Sequence, residues 1–457
     1  MLRTYQAQAV ADLRQAYRQG VRAPLLVLPT GAGKTVVFAE ITRSAAKRGR
    51  RVLILVHRRE LVRQASSKLT AAAVEHGIIA SGNRSTTSKV QVASVQTLVR
   101  RLDLCSYKPD LIIIDEAHHA CAGSWERVLN HWPDAFRLGV TATPTRLDGR
   151  GLGGTFDHIV IGPSVAELVA DGYLTPARIF APPVQADLSG LRTRAGDYKP
   201  EQAAERIDKP SITGDAISHY QKLGADLPAI CFTCTTSHAE HVAANFNAAG
   251  IPAATLLGTT APDIRDQLVA GLASGTIKVL VTVDVVSEGF DCPDAGVAIL
   301  LRPTQSQALY LQQVGRVLRP APGKAAAIIL DHVGNVSRHG FPDDPRDHSL
   351  SDKPRRGRSD ASHPAVRQCS VCYAAFKPAP ICPCCGAESQ PSSREIEQRD
   401  GQLRELQRQQ ARADYLRARR EQSQARSLDQ LLAVAKQRGY APGWAYRIHS
   451  ARGARHG

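Results

Sequence analysis

Eight consecutive residues, Leu28-Pro29-Thr30-Gly31-Ala32-Gly33-Lys34-Thr35, have the types and spacing to hold a chain of phosphates. The glycines let backbone N–H groups turn inward around phosphate oxygens, and a helix starting just beyond them adds its positive dipole end. Lys34 would reach the β- and γ-phosphates, and the Thr35 hydroxyl would hold Mg²⁺. Leu28 stands where the general pattern places a glycine, so the match is imperfect taken alone. A second group of residues, Asp115-Glu116-Ala117-His118, follows the apolar run Leu111-Ile112-Ile113-Ile114. Acids at the carboxyl end of a parallel strand face the ligand crevice. There Asp115 can hold Mg²⁺ through water, and Glu116 can accept a proton from an attacking water.

A third group supplies positive charge. Arg316 and Arg319 are three residues apart, which on a helix puts both on one face. Guanidinium groups offered from a second domain stabilise charge spreading over a transferring phosphoryl group. The fourth group is Cys369, Cys372, Cys382 and Cys385, two Cys-x-x-Cys pairs nine residues apart. That spacing suits tetrahedral thiolate coordination of Zn²⁺, and four thiolates leave no open position, which marks a structural metal. Cys384 either replaces one of these neighbours or stays a free thiol. Cys231-Phe232-Thr233-Cys234 has similar spacing but falls in a core strand. Cys105, Cys121 and Cys292 read as single core or loop residues, and His119 as part of a loop.

The elements that must position these groups alternate. Strands are expected at Leu25–Leu28, Arg51–Val56, Val90–Ser94, Leu111–Asp115 and Arg137–Val140, after an amphipathic helix over Gln6 to Gln19. Residues 1–170 therefore read as a doubly wound parallel sheet with the phosphate loop after its first strand. Residues 171–210 read as a connecting segment rich in Pro, Ala and Arg. Residues 211–340 repeat the α/β pattern, with strands at Ala229–Phe232, Ala253–Leu257, Lys278–Val283, Val297–Leu301 and Ala326–Asp331, and carry no phosphate loop of their own. Residues 341–365 read as a flexible linker, 366–390 as the cysteine module and 391–457 as a basic helical tail. Within the tail a long charged helix is expected from Ser392, and a short amphipathic one over Leu428 to Lys436. Trp444 and Tyr446 lie among basic residues, suited to stacking on bases, capping the rest of the chain or binding a protein partner.

Together these motifs resemble the superfamily 2 helicases of the Asp-Glu-Ala-His type, and the resemblance runs from residue 3 to about residue 335. A Pro-Thr-Gly-x-Gly-Lys-Thr loop is typical of such nucleotide-driven motors. Arg3, Tyr5 and Gln6 resemble the adenine-reading element, and His57-Arg58-Arg59-Glu60 resembles motif Ia on the nucleic-acid side. Ser94-Val95-Gln96-Thr97 resembles the next strand-contact element, and Thr141-Ala142-Thr143-Pro144 matches motif III. Val283 to Pro293, with Glu288-Gly289-Phe290-Asp291, matches motif V, and Gln312 to Arg319 matches motif VI. Gly172-Tyr173-Leu174-Thr175-Pro176, Leu301-Arg302-Pro303-Thr304 and Pro322-Gly323-Lys324 look most like bacterial RadD-like DNA repair proteins and phage-type helicases.

The resemblance implies two tandem RecA-like lobes with ATP in the cleft between them. It implies nucleotide contacts from Arg3, Gln6, Thr30, Gly31, Ala32, Gly33, Lys34, Thr35, Asp115, Gly289, Asp291 and Gln312, with Lys34, Glu116, Arg316 and Arg319 acting in hydrolysis. Arg58, Ser94, Gln96 and Thr282 would touch the strand. ATP, Mg²⁺ and Zn²⁺ are the cofactors expected. DNA, single-stranded, duplex or branched, is the partner, with RNA the alternative and repair or replication proteins at the tail. A restriction-system motor and a weakly hydrolysing clamp are the other readings.

Composition fits these expectations. The 457 residues carry a formal charge of +16, and residues 351–457 hold 20 Lys+Arg against 10 Asp+Glu. Such a surface attracts phosphate backbones with little sequence preference. The 43% hydrophobic content suffices for two or three cores. No run of eighteen apolar residues occurs, so no membrane helix is expected. The first residues enter a helix without an apolar signal core, so a cytoplasmic, reducing location is expected, where cysteines need not pair.

Overall fold

The structure, a computed structural model, describes residues 2–57, 59–83, 87–102, 106–120, 123–144, 151–181, 188–194, 196–224, 226–283, 292–346, 348–351, 366–388, 421, 425, 427–438 and 443–453. Residues 1–389 form one compact unit and 390–457 a second.

The first lobe runs α1 (Thr4–Arg18), β1 (Pro24–Val27), α2 (Lys34–Lys47), β2 (Val52–Val56), α3 (Arg59–Ala71), β3 (Gly77–Ile79), β4 (Val90–Ser94), α4 (Val95–Leu98), β5 (Leu111–Asp115), α5 (Gly123–His131), β6 (Phe136–Thr141), β7 (His158–Ile161) and α6 (Val165–Ala170). Its seven strands pair in the order β3-β4-β2-β5-β6-β1-β7, all parallel. A parallel sheet covered on both faces needs apolar residues at every position rather than every second one. Every residue of β1, β2, β4 and β5 is accordingly buried. Strand β1 lies inside the sheet between β6 and the edge strand β7, so the loop that follows it leaves from the sheet's carboxyl end one strand in from that edge.

The second lobe begins earlier than the alternation of the sequence implies. Strand β8 (Ala177–Phe180), within the stretch read as a connection, pairs with β15 and belongs to the second sheet. After it come the β9–β10 hairpin (Thr193–Arg194, Asp197–Tyr198), α7 (Pro200–Ile207), α8 (Pro210–Leu223), β11 (Ala229–Phe232), α9 (Thr236–Ala248), β12 (Ala253–Leu256), α10 (Pro262–Ser274), β13 (Val279–Thr282), β14 (Val297–Leu300), α11 (Gln307–Val317), β15 (Ala327–Asp331) and α12 (Asn335–His339). Strand β8 is four residues long, with two exposed, which gives a sequence pattern little to show.

Two further strands, β16 (Arg367–Gln368) and β17 (Ala374–Phe376), extend this sheet to the order β12-β13-β11-β14-β15-β8-β17-β16. Strand β17 is antiparallel to β8, with Ala374 opposite Phe180. The cysteine module thus covers an edge that would otherwise expose unpaired backbone groups.

The stretch read as a flexible linker is packed where it is described. Phe341 is buried, and Arg346 donates to the carbonyl oxygens of Phe341, Pro342 and Asp344 at 2.8–3.0 Å. Leu350 packs on the first lobe's core, and its carbonyl accepts from Gly153 N at 2.8 Å. Charged and Pro-rich composition hid this, because the anchors are single residues.

In the second unit α13 (Leu428–Arg438) and α14 (Gly443–Gly453) pack on each other through Leu431, Ala435 and Ala445. Trp444 joins that small core, while Tyr446 is 53% exposed. The long charged helix expected before α13 falls outside the described residues. Among the described residues no helix is long and apolar enough to cross a membrane.

Candidate nucleotide and metal sites

The loop after β1 turns through Gly31 and Gly33, both in the left-handed region at φ 89° and 80°. Gly33 is also constrained sideways, since a Cβ there would lie 2.5 Å from Gln6 Nε2. Gln6 explains that approach. It is buried, its Nε2 donates to Ala32 O at 3.1 Å, and its Oε1 accepts from Arg3 N at 3.0 Å. Tyr5 donates its hydroxyl to the same Ala32 carbonyl at 2.8 Å. The Arg3 guanidinium lies 4.8 Å from the ring of Tyr173, which meets Tyr5 edge-on at 5.1 Å. Arg3 and Gln6 therefore brace the phosphate loop, and Tyr173 completes the aromatic group beside it.

Asp115 ends β5, and its Oδ1 accepts from Glu116 N at 3.0 Å. Glu116 sits at φ 49°, a conformation side chains other than glycine rarely adopt. Its carboxylate is buried, and Oε2 accepts no hydrogen bond; His118 Nδ1 lies 3.5 Å from it. A buried acceptor left open in this way fits a group that binds water or a ligand. His118 also meets the Thr141 hydroxyl at 3.2 Å, and that hydroxyl donates to Thr143 O at 2.8 Å. Motif III is thus wired to the acid pair through one histidine. The His119 ring lies 4.2 Å from that of His118 and 4.5 Å from that of His57.

The second lobe closes the site. Thr30, Gly31, Gly33, Lys34, Thr35, Asp115 and Glu116 line one pocket together with Arg316 and Arg319. Arg316 lies on α11, whereas Arg319 lies just past the C-cap Leu318, so the two do not share a helix face as the spacing predicts. They converge because the helix ends and the chain turns toward the same pocket. Gly315 makes the approach possible: a Cβ there would fall 2.5 Å from Thr30 Cβ. Desolvation holds the Lys34 ammonium below the usual lysine range, opposed by Glu116 and Asp115 and assisted by Arg316 and Arg319. Gln312 is buried on α11 but does not line the pocket. Leu61, Gln64 and Ala65 of α3 do line it, and no motif spacing singles them out.

The predicted strand contacts fare differently. Ser94 is buried and donates to Gln96 Oε1 at 2.8 Å, while Gln96 is exposed. Thr282 is fully buried and donates to Leu256 O at 2.9 Å, so its side chain offers a strand no surface here. A hydroxyl at the end of a buried strand satisfies itself inside the lobe. Arg58, Gly289 and Asp291 lie outside the described residues, as do Cys105 and Cys121.

The sulfur atoms of Cys369, Cys372, Cys382 and Cys385 all lie within 4.8 Å of one another. The Cys369–Cys385 and Cys372–Cys382 pairs are 3.6 and 3.7 Å apart. Tetrahedral zinc with about 2.3 Å Zn–S bonds requires sulfurs about 3.8 Å apart. Backbone N–H groups of Val371 and Cys384 point at Cys369 Sγ and Cys382 Sγ, each at 3.4 Å, as thiolates favour. Cys384 is outside the group; its Sγ lies 2.8 Å from an Arg178 guanidinium nitrogen. Cys231 and Cys234 are buried, and burial pushes the thiols up, Cys234 to about 12.

Comparison with known proteins agrees with this geometry. Residues 1–146 match the family "Type III restriction enzyme, res subunit", and residues 215–321 match "Helicase conserved C-terminal domain". The chain is 36% identical to a 51.5 kDa protein of a Lactococcus phage, over 76% of this chain and 74% of that one. The chain belongs to the superfamily 2 helicases. Other relatives include the Saccharomyces cerevisiae protein IRC3, named as an ATP-dependent helicase. It is 31% identical over 74% of this chain, which spans only 52% of its length. The DNA 3'-5' translocase XPB2 of Sulfurisphaera tokodaii is 28% identical over 73% of this chain and 82% of that one. Among solved structures, a fragment assigned as an HsdR subunit of a type I restriction enzyme from Vibrio vulnificus superimposes with a TM-score of 0.60. That match is 22% identical and covers 74% of this chain and 67% of the fragment, a likeness of fold.

Proposed function

We propose that this superfamily 2 helicase is an ATP-dependent DNA helicase or translocase. The observation that carries the reading is the single pocket in which Lys34, Thr35, Asp115 and Glu116 of one lobe face Arg316 and Arg319 of the other. Thr35 and Asp115 would hold Mg²⁺, which neutralises phosphate charge when bound. Gly31, Ala32, Gly33 and Lys34 would hold the phosphates. Glu116 would orient a water on the γ-phosphorus and take its proton as the bond to the β–γ bridging oxygen breaks. Arg316 and Arg319 would stabilise charge on the departing phosphoryl oxygens, which requires the lobes to be closed. Release of product would let them part, and strand contacts on both lobes would turn that cycle into movement.

DNA is favoured by the +16 charge and by the relative described as a DNA translocase. The family match over residues 1–146 also supports a motor acting with a separate nuclease chain. The four-cysteine group would hold Zn²⁺ as a structural metal and anchor β16–β17 on the second lobe. A role in DNA repair, in the cytoplasm, remains the biological proposal. The test is steady-state ATP hydrolysis without polynucleotide and with single-stranded, duplex or branched DNA, or RNA, alongside Glu116→Gln. DNA stimulation lost in the variant supports the reading. Stimulation by RNA alone moves the protein to RNA remodelling, and no hydrolysis favours a clamp.

A further inference from the structure

Arg319 lies beyond the last turn of α11, where no helix holds its backbone. The chain continues through Pro320, Ala321 and Pro322 to Gly323, which sits at φ 76° and turns it back. That turn brings the side chain of Lys324 under the residue it has just left. Lys324 is 8% exposed, and its Nζ donates to Arg319 O at 2.7 Å, Ala295 O at 2.7 Å and Pro293 O at 3.2 Å. An ammonium has three N–H donors and no acceptor, so three carbonyls satisfy it completely. One of them, Pro293, is the last residue of motif V, and Ala295 lies two residues beyond it. We propose that Lys324 is a positioning residue for ATP hydrolysis, tying the backbone of Arg319 to the end of motif V so that the guanidinium meets the γ-phosphate. The inference rests on the assignment of Arg319 to that phosphate.

The tether depends on the proton. A neutral amine keeps only two donors and turns a lone pair toward a carbonyl oxygen. Burial pushes the Lys324 ammonium down to about 8, the Arg319 guanidinium acts in the same direction, and Cys292 and Asp294 oppose both. The bonded tether is present below that value and lost as pH rises through it.

The test compares wild type, Lys324→Met and Lys324→Arg for kcat and KM with saturating DNA between pH 6.5 and 9.5 (roughly 1.5 either side of the value above). Wild-type kcat is expected to fall as pH rises through about 8. Lys324→Met is expected to start roughly tenfold to a hundredfold lower, with KM for ATP little changed and without that fall. Lys324→Arg keeps its donors charged and should lose less activity at alkaline pH. Equal kcat for wild type and Lys324→Met at neutral pH, or identical alkaline profiles for wild type and Lys324→Arg, overturns the proposal. The second comparison decides the matter if Lys324→Met does not fold. A wild type that hydrolyses nothing overturns the motor reading, and nucleotide binding then decides the role of Lys324. Loss in Lys324→Met of preference for ATPγS over ADP, with ADP affinity kept, supports the tether; an unchanged preference refutes it.

Discussion

Glu116 is held in a strained backbone conformation with one carboxylate oxygen unengaged, and the strain is repaid by contacts around it. Replacing it by glutamine keeps size and shape but removes the base. Glu116→Gln should lower kcat by about 10²- to 10⁴-fold with nucleotide affinity little altered, read from steady-state kinetics beside equilibrium ATP binding. Gly315 is a second single-atom constraint. A Cβ there meets the Cβ of Thr30, a branched side chain that cannot swing aside. Gly315→Ala should stop the lobes closing while improving helix propensity. Hydrolysis should therefore collapse while ATP binding on the first lobe and the thermal midpoint hold. Simultaneous loss of melting temperature and nucleotide binding would show instead that Gly315 serves folding of α11.

At the scale of elements, the sheets place the chemistry and the cysteine module finishes one of them. Strand β17 hydrogen-bonds to β8, so the four-cysteine group and the second lobe's edge stand together. Cys382→Ser removes one thiol of the Cys372–Cys382 pair, whose sulfurs are 3.7 Å apart. Zinc content should fall from about one per chain to near none, measured by elemental analysis of the purified protein. The freed edge at β8 should also raise aggregation. Full zinc with no change in solubility would mean that Cys384 can replace Cys382, although its sulfur now lies against Arg178.

For the molecule as a whole, positive charge is concentrated along the second unit. Residues 390–457 carry 14 Lys+Arg against 7 Asp+Glu, so the chain without them keeps a smaller positive excess. Phosphate contacts release counterions, and binding weakens steeply with salt in proportion to their number. Removing residues 390–457 should weaken DNA binding at low salt and flatten the slope of log affinity against log salt, as measured by fluorescence anisotropy. An unchanged slope would assign the tail to a protein partner. The sequence by itself determined the phosphate loop, the acid pair, the arginines of motif VI, the four cysteines and most strands of both lobes. Each is a local pattern: consecutive apolar residues ending at a charged one, or ligands a few positions apart. Tertiary structure alone decided the rest. Strand β8 declares itself only by pairing with β15, and residues 341–351 only by the lobes they touch. Gly315 is required by Thr30, which lies 285 residues away in sequence, and Lys324 matters for three carbonyls that no side-chain pattern encodes. Thr282, which the resemblance put against a strand, is buried because β12 lies beside it and Leu256 accepts its hydroxyl. A backbone carbonyl or a neighbouring lobe leaves no mark on residue type, so contacts made to them become legible only when the chain is folded.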